Sequence, residues 1–171
     1  MGIVLCLREI MYHNNIRTQS ELIKLLAQHG IAAPPKTINL IYYNKIKQLP
    51  VYLIYGISIV TQSAPADWIK LIDGNNEWPT TRSVNINDSE SLNPGVQFLF
   101  ERKSILLEII DQLQKFNVKT NTNTLSKIQN GTIKRLPLDL VEGICKLTNQ
   151  APGDWIKVVD PNGRIILPKG I

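Results

Sequence analysis

The sequence predicts an all-α fold: two tandem bundles of four to five short helices, closed by a small C-terminal β-hairpin. Three observations lead there. Residues 37–75 align without a gap on residues 124–162, with 18 of 39 positions identical at a constant shift of 87. Apolar residues recur at three- and four-residue spacing in both copies, which is the helical period. The 171 residues are close to twice the shift, so each copy has room for one small core. The predicted organisation is a first unit at 1–76, a linker at 77–93 and a second unit at 94–171.

The repeat is specific. The first copy carries Ile46-Lys47-x-Leu49-Pro50, Gly56-Ile57, Thr61 and Ala64-Pro65-x-Asp67-Trp68-Ile69-Lys70. The second carries Ile133-Lys134-x-Leu136-Pro137, Gly143-Ile144, Thr148 and Ala151-Pro152-x-Asp154-Trp155-Ile156-Lys157. Two convergent segments would not hold Pro-x-Asp-Trp-Ile-Lys in register. Only two copies at so long a period suit two domains rather than a solenoid. The stretch between them is polar, aperiodic and sums to −2, as a linker should be.

In the first copy, Val4 to Tyr12 reads as the opening helix. Thr18-Gln19-Ser20-Glu21 is a capping box at the head of a second helix that runs to Gly30. Pro34-Pro35 marks a turn before a helix at Lys36–Asn44, and Pro50 opens the fourth. In the second copy, Asn93-Pro94-Gly95 is a helix start, and Phe98, Leu99, Ile105, Leu106, Ile109, Ile110 and Leu113 keep helical spacing. Lys119 to Asn123 reads as a turn, with Thr120 or Thr122 as the cap of a short helix at Asn123–Asn130. Leu125 and Ile128 mark its buried face, and Asn130-Gly131 stops it. Pro137 opens a further helix with Leu138, Val141, Ile144, Cys145 and Thr148 inward. A last turn ends in Trp155, a plug for the core. The runs after Trp155 and Arg164 flank Asp160-Pro161-Asn162-Gly163 and predict the hairpin.

Composition narrows the function. With 43% hydrophobic residues and 10 each of Gly and Pro, the chain is neither disordered nor collagenous. No run of about 18 apolar residues exists to span a membrane. The apolar opening lacks a basic region and meets Arg8 and Glu9 at once, so it makes a poor signal peptide. Cys6 and Cys145 have no ligand spacing and read as buried thiols of a reduced, cytoplasmic protein. His13 and His29 fall in unrelated contexts, and no catalytic constellation, metal site or cofactor loop is found. The expectation is no enzyme, no metal and no cofactor.

Charge points to nucleic acid. The net +5 divides into +3 and +4 on the units and −2 on the linker. No acid lies between Glu21 and Asp67, where Lys24, Lys36, Lys45 and Lys47 fall. None lies between Asp111 and Asp139, where Lys115, Lys119, Lys127, Lys134 and Arg135 fall. A solvated surface mixes signs, whereas a one-signed segment around a short helix suits phosphates. The sequence shows no aromatic platform of the kind single strands stack on, which disfavours RNA.

These residues resemble a family. Thr18-Gln19-x-Glu21-Leu22, Thr37-Ile38-x-x-Ile41, Lys47-x-Leu49-Pro50 and Pro65-x-Asp67-Trp68-Ile69 look like the Cro/CI family of phage repressors and their bacterial relatives. In the second copy, Thr124-Leu125-Ser126-Lys127-Ile128-x-Asn130-Gly131 with Lys134-Arg135-x-Pro137 is similar to that family's recognition helix and following loop. The resemblance covers roughly 3–75 and 95–157. It implies a lambda repressor-like five-helix bundle, and a helix-turn-helix that reads duplex DNA in the major groove, usually as a dimer. Both copies depart from it by about five extra residues before the third helix. Leu106 also replaces the family's Gln at the head of helix two.

By that resemblance the base readers of the second copy are Thr122, Asn123, Ser126 and Lys127, which form i,i+4 pairs opposite Leu125 and Ile128. Asn pairs with adenine, Lys donates to guanine, and the Thr methyl suits thymine. Phosphate contacts fall to Lys119, Asn130, Lys134 and Arg135. The first copy offers Lys36 and Asn39 to bases, among the poorer readers Pro35, Leu40 and Tyr43, and Gln19, Lys45 and Lys47 to phosphates. The pairs Tyr42-Tyr43 and Tyr52-Tyr55 suit either a protein contact or the bundle interior.

The expected protein is a transcriptional regulator of phage, prophage or plasmid type, acting in the cytoplasm on the nucleoid, with a double-stranded DNA operator as partner. The alternative is an adaptor or antirepressor with degenerate helix-turn-helix units. A 17-residue coil spans roughly 20–25 Å and extends to about 55–60 Å, against about 34 Å between half-sites, so one chain can act as a covalent pseudo-dimer. A homodimer through the C-terminal hairpin stays open.

Overall fold

The opening residues Gly2-Ile3-Val4-Leu5 carry an apolar run with no side-chain cap, and they form a strand rather than a helix. In the computed structural model, residues 2–74, 76–77, 94–98 and 106–168 are described. The first copy runs β1 (Gly2–Leu5), α1 (Leu7–His13), α2 (Gln19–Gln28), α3 (Pro35–Tyr42), β2 (Gln48–Pro50), α4 (Val51–Thr61), α5 (Pro65–Trp68), β3 (Ile69–Asp73) and β4 (Asn76–Glu77). The second runs β5 (Gly95–Phe98), α6 (Leu106–Lys115), α7 (Thr122–Gln129), β6 (Arg135–Pro137), α8 (Leu138–Thr148), α9 (Pro152–Trp155) and β7 (Ile156–Val159). Residues 78–93, most of the expected linker, and 99–105, part of the expected first helix of copy two, lie outside the described residues.

The fold is therefore mixed α/β, and the all-α expectation is corrected. Among the described residues nine helices are joined by three small antiparallel sheets, ordered β1-β3-β4, β2-β6 and β5-β7. The error has a physical source. A short apolar run such as Ile3-Val4-Leu5 satisfies a helix and a strand equally, and periodicity cannot separate them. Its partner is remote: Leu5 stands opposite Ile69, as Phe98 stands opposite Ile156. Pairing with β5 also changes the C-terminal hairpin. Among the described residues one bridge, Val159 to Ile165, joins the returning chain, and the Asp160 carboxylate accepts from the Asn162 and Arg164 N–H groups at 2.8 Å.

Several helix ends differ from expectation. Asn93-Pro94-Gly95 leads into a strand, not a helix. Pro50 and Pro137 close β2 and β6 and cap α4 and α8 from outside. Thr18 Oγ1 accepts from Glu21 N–H at 3.1 Å, but Glu21 reaches back to Arg17 N–H, one residue before the usual partner. Asn121, rather than Thr120 or Thr122, caps α7, its side chain accepting from Thr124 N–H at 2.8 Å.

The repeat's most identical run is architectural. Asp67 and Asp154 each accept, at 2.8 Å, from the N–H of Ala64 and Ala151, three residues earlier. Each bond ties off one turn of helix behind a proline. Trp68 and Trp155 that follow are fully buried. Gly56 and Gly143 are also structural: a Cβ there would come within 2.8 Å of Leu26 and Ile31, or 2.7 Å of Leu113. Helices α2 and α6 pack that close to α4 and α8.

The two copies meet about a local pseudo-two-fold axis. Strand β2 pairs with β6 so that Leu49 lies opposite its own equivalent, Leu136. Val51 N–H donates to Lys134 C=O and Leu138 N–H to Lys47 C=O, both at 3.0 Å, a reciprocal pair. Helix α5 packs on α9, with Gly153 against its equivalent Ala66. The apolar side chains of both copies form one continuous core. Cys145 lies in it, and burial pushes its thiol up to about 12; Cys6 is half-buried. Among the described residues no helix is long and apolar enough to cross a membrane.

Candidate nucleic-acid interface

Helix α7 is built to present one polar face. Leu125 and Ile128 are fully buried, which turns Thr122, Asn123 and Lys127 out to solvent and leaves Ser126 half-buried beside them. The i,i+4 pairs 122/126 and 123/127 therefore share the exposed side. The helix ends cleanly: Gly131 takes the left-handed conformation at φ 66°, while Asn130 stays at −90°. Asn130 is exposed, and its amide donates to Ser126 Oγ at 3.3 Å, so it is braced against the helix. The six residues between α6 and α7 exceed the three or four of a compact helix-turn-helix turn.

The cations flank this helix in two places. Lys119 is exposed on the turn before it. Lys134 and Arg135 are exposed on the loop behind it, where Lys134 gives its carbonyl and Arg135 its backbone to the ribbon at the pseudo-two-fold axis. Lys47 is exposed at the equivalent place in copy one. The ribbon thus brings Lys47, Lys134 and Arg135, which are far apart in sequence, into the strip between the two halves.

Copy one has the same skeleton with a different surface. On α3, Pro35, Lys36 and Asn39 are exposed, Leu40 is half-buried, and Lys45 is exposed on the loop that follows. Gln19, the first residue of α2, is half-buried. Tyr43 is exposed and meets Tyr42 edge-to-face at 5.1 Å, while Tyr42 packs on the core. Copy one keeps the helix-stopping role that Gly131 has in copy two. Asn44 takes it at φ 55°, and its side chain accepts from Leu5 N–H at 3.1 Å. Only the shift of 87 exposes that equivalence.

One charge feature escaped the sequence. A groove of about 650 Å³ runs between the halves, with Lys47, Lys119, Asn121 and Thr124 on its walls together with Asp139 and Glu142. The stretch from 112 to 138 is purely basic along the chain, yet α8 brings two carboxylates beside the N-terminus of α7 in space. Glu142 is held by Lys146 one turn on, which leaves Asp139 as the exposed acid.

No protein family, curated protein or solved structure matches this chain.

Proposed function

We propose that the chain is a sequence-specific double-stranded DNA-binding regulator, a repressor of phage, prophage or plasmid type, that docks α7 in the major groove. The observation that carries this reading is the exposed polar face of α7, seated on buried Leu125 and Ile128 and flanked by Lys119, Lys134 and Arg135. Asn123 would pair with adenine, Lys127 would donate to guanine, and Thr122 and Ser126 would complete the reading edge. Lys119, Asn130, Lys134 and Arg135 would hold phosphates and set the register. Helix α3, related by the pseudo-two-fold axis, would be the second and weaker reader through Lys36 and Asn39, with Gln19, Lys45 and Lys47 on the backbone. One chain then acts as a covalent pseudo-dimer on an imperfect palindrome, and repression is steric.

The test begins with selection from random duplexes, which yields the preferred site. On that site Lys134→Glu with Arg135→Glu should weaken binding at least about tenfold and flatten the dependence of log K on log salt by about two. Unchanged affinity and slope, or a selection that enriches no sequence, rejects the reading.

A further inference from the structure

The pseudo-two-fold axis generates a second groove equivalent to the one beside Asp139 and Glu142. It measures about 810 Å³, within the usual range for small-ligand clefts. Its walls are α4 of the first copy on one side and the α7–β6 loop and start of β6 of the second on the other, with Pro94, Gly95 and Val96 at the start of β5 completing it. Where the first groove has Asp139 and Glu142, this one has Tyr52 and Tyr55. Where the first has Lys47 and Gln48, this one has Lys134 and Arg135. Among the described residues no carboxylate lines it.

Tyr52 and Tyr55 are three residues apart and so share a side of α4. Tyr52 is 46% exposed, while Tyr55 is half-buried against the core, which fixes the deeper ring. Across from them, Lys134 and Arg135 make no ion pair among the described residues. Two aromatic side chains on one wall and two cations on the other suit a ligand that is a planar ring at one end and an anion at the other. A simple anion would ignore the rings, and an apolar ligand would ignore the cations. We propose that this groove binds a nucleotide, its base stacked on Tyr52 and Tyr55 and its phosphate on Lys134 and Arg135. The nucleotide is either free or part of a single strand. The site does not depend on whether the chain reads duplex DNA, and its readout below contains none.

The full chain is titrated calorimetrically with adenosine 5′-monophosphate, with inorganic phosphate and adenosine alone as separate arms. The mononucleotide should bind, and each fragment at least about tenfold more weakly, since each uses one wall. Tyr52→Asp with Tyr55→Glu, which installs the residues of the equivalent groove, should cost at least about tenfold. Lys134→Gln with Arg135→Gln should do the same. Tyr52→Phe with Tyr55→Phe keeps the rings and should stay within about threefold, which separates stacking from a general loss of fold. No binding of the mononucleotide at millimolar concentration overturns the proposal. So does inorganic phosphate binding as well as the mononucleotide, or a Phe variant as weak as the Asp/Glu variant. A short single-stranded oligonucleotide then separates the sources. Tighter binding than the mononucleotide supports a strand, and equal binding supports the free nucleotide.

Discussion

Helices α4 and α8 occupy equivalent places and carry the same residues inward: Leu53 and Leu140, Gly56 and Gly143, Ile57 and Ile144. Their outer sides have little in common. Helix α8 is amphipathic, with Asp139 exposed and Glu142 paired to Lys146 one turn on. Helix α4 places Tyr52, Tyr55 and Ile59 at those positions and is apolar almost all round. A helix of that kind survives only where much of its circumference is covered. The difference shows where the duplicated halves are constrained. Packing against α2 or α6 admits one solution, so the inner face is kept. The outer face is free to differ, and it turns two equivalent grooves into one of mixed charge and an aromatic, basic one.

That comparison breaks most easily where the halves touch at the axis. A Cβ on Gly153 would stand 2.3 Å from the Cβ of Ala66 and 2.5 Å from its Cα, so the pair has space for one methyl, not two. Gly153→Ala should cost about 3 kcal/mol by overpacking. Adding Ala66→Gly should return only part of that, because it removes the contact with the Ala66 methyl but leaves the new Cβ 2.5 Å from the Cα of residue 66. Denaturant unfolding of the two variants checks this. A neutral Gly153→Ala would mean that α5 and α9 are not in tight contact, and the pseudo-symmetric packing would fail with it.

A second test sharpens the contrast between the two readers. Asn123 on α7 and Lys36 on α3 are equivalent by the shift of 87 and are both exposed. On the selected duplex, Asn123→Ala should lose about 2 kcal/mol, roughly thirtyfold in Kd, because a bidentate base contact goes. Lys36→Ala should lose about 0.5 kcal/mol, the value of an exposed cation near phosphate. Equal losses measured by anisotropy would make the halves equal readers.

Much of the interior was legible before the fold was known. The buried Trp155, the face of α7 and the start of α2 all follow from local spacing. What stayed hidden depends on pairing across the chain. Strand β2 is Gln48-Leu49-Pro50, too short to alternate and ending in proline, and only its partner β6 makes it a strand. The same limit applies to the site. Lys119, Lys134 and Arg135 were legible as a basic run, but Asp139 reaches the N-terminus of α7 through the fold of α8. Tyr52 and Tyr55 became a wall only when the second copy supplied the opposite one.

The smallest expected difference lies inside the shared core, at two equivalent positions. Cys145 and Ser58 are equivalent and fully buried. The Cys145 thiol is kept protonated by burial. In copy one, Ser58 Oγ and Trp68 Nε1 are buried without a hydrogen-bond partner among the described residues. A buried hydroxyl left unpaired costs about 1–3 kcal/mol, whereas a thiol behaves as a small apolar group with little to satisfy. Ser58→Cys should therefore stabilise the chain by about 1 kcal/mol, and Cys145→Ser should destabilise it by a similar amount. Urea midpoints measure both. If Ser58→Cys is destabilising instead, the Ser58 hydroxyl has a partner that its equivalent lacks. The two halves would then differ in buried chemistry as they do at their surfaces.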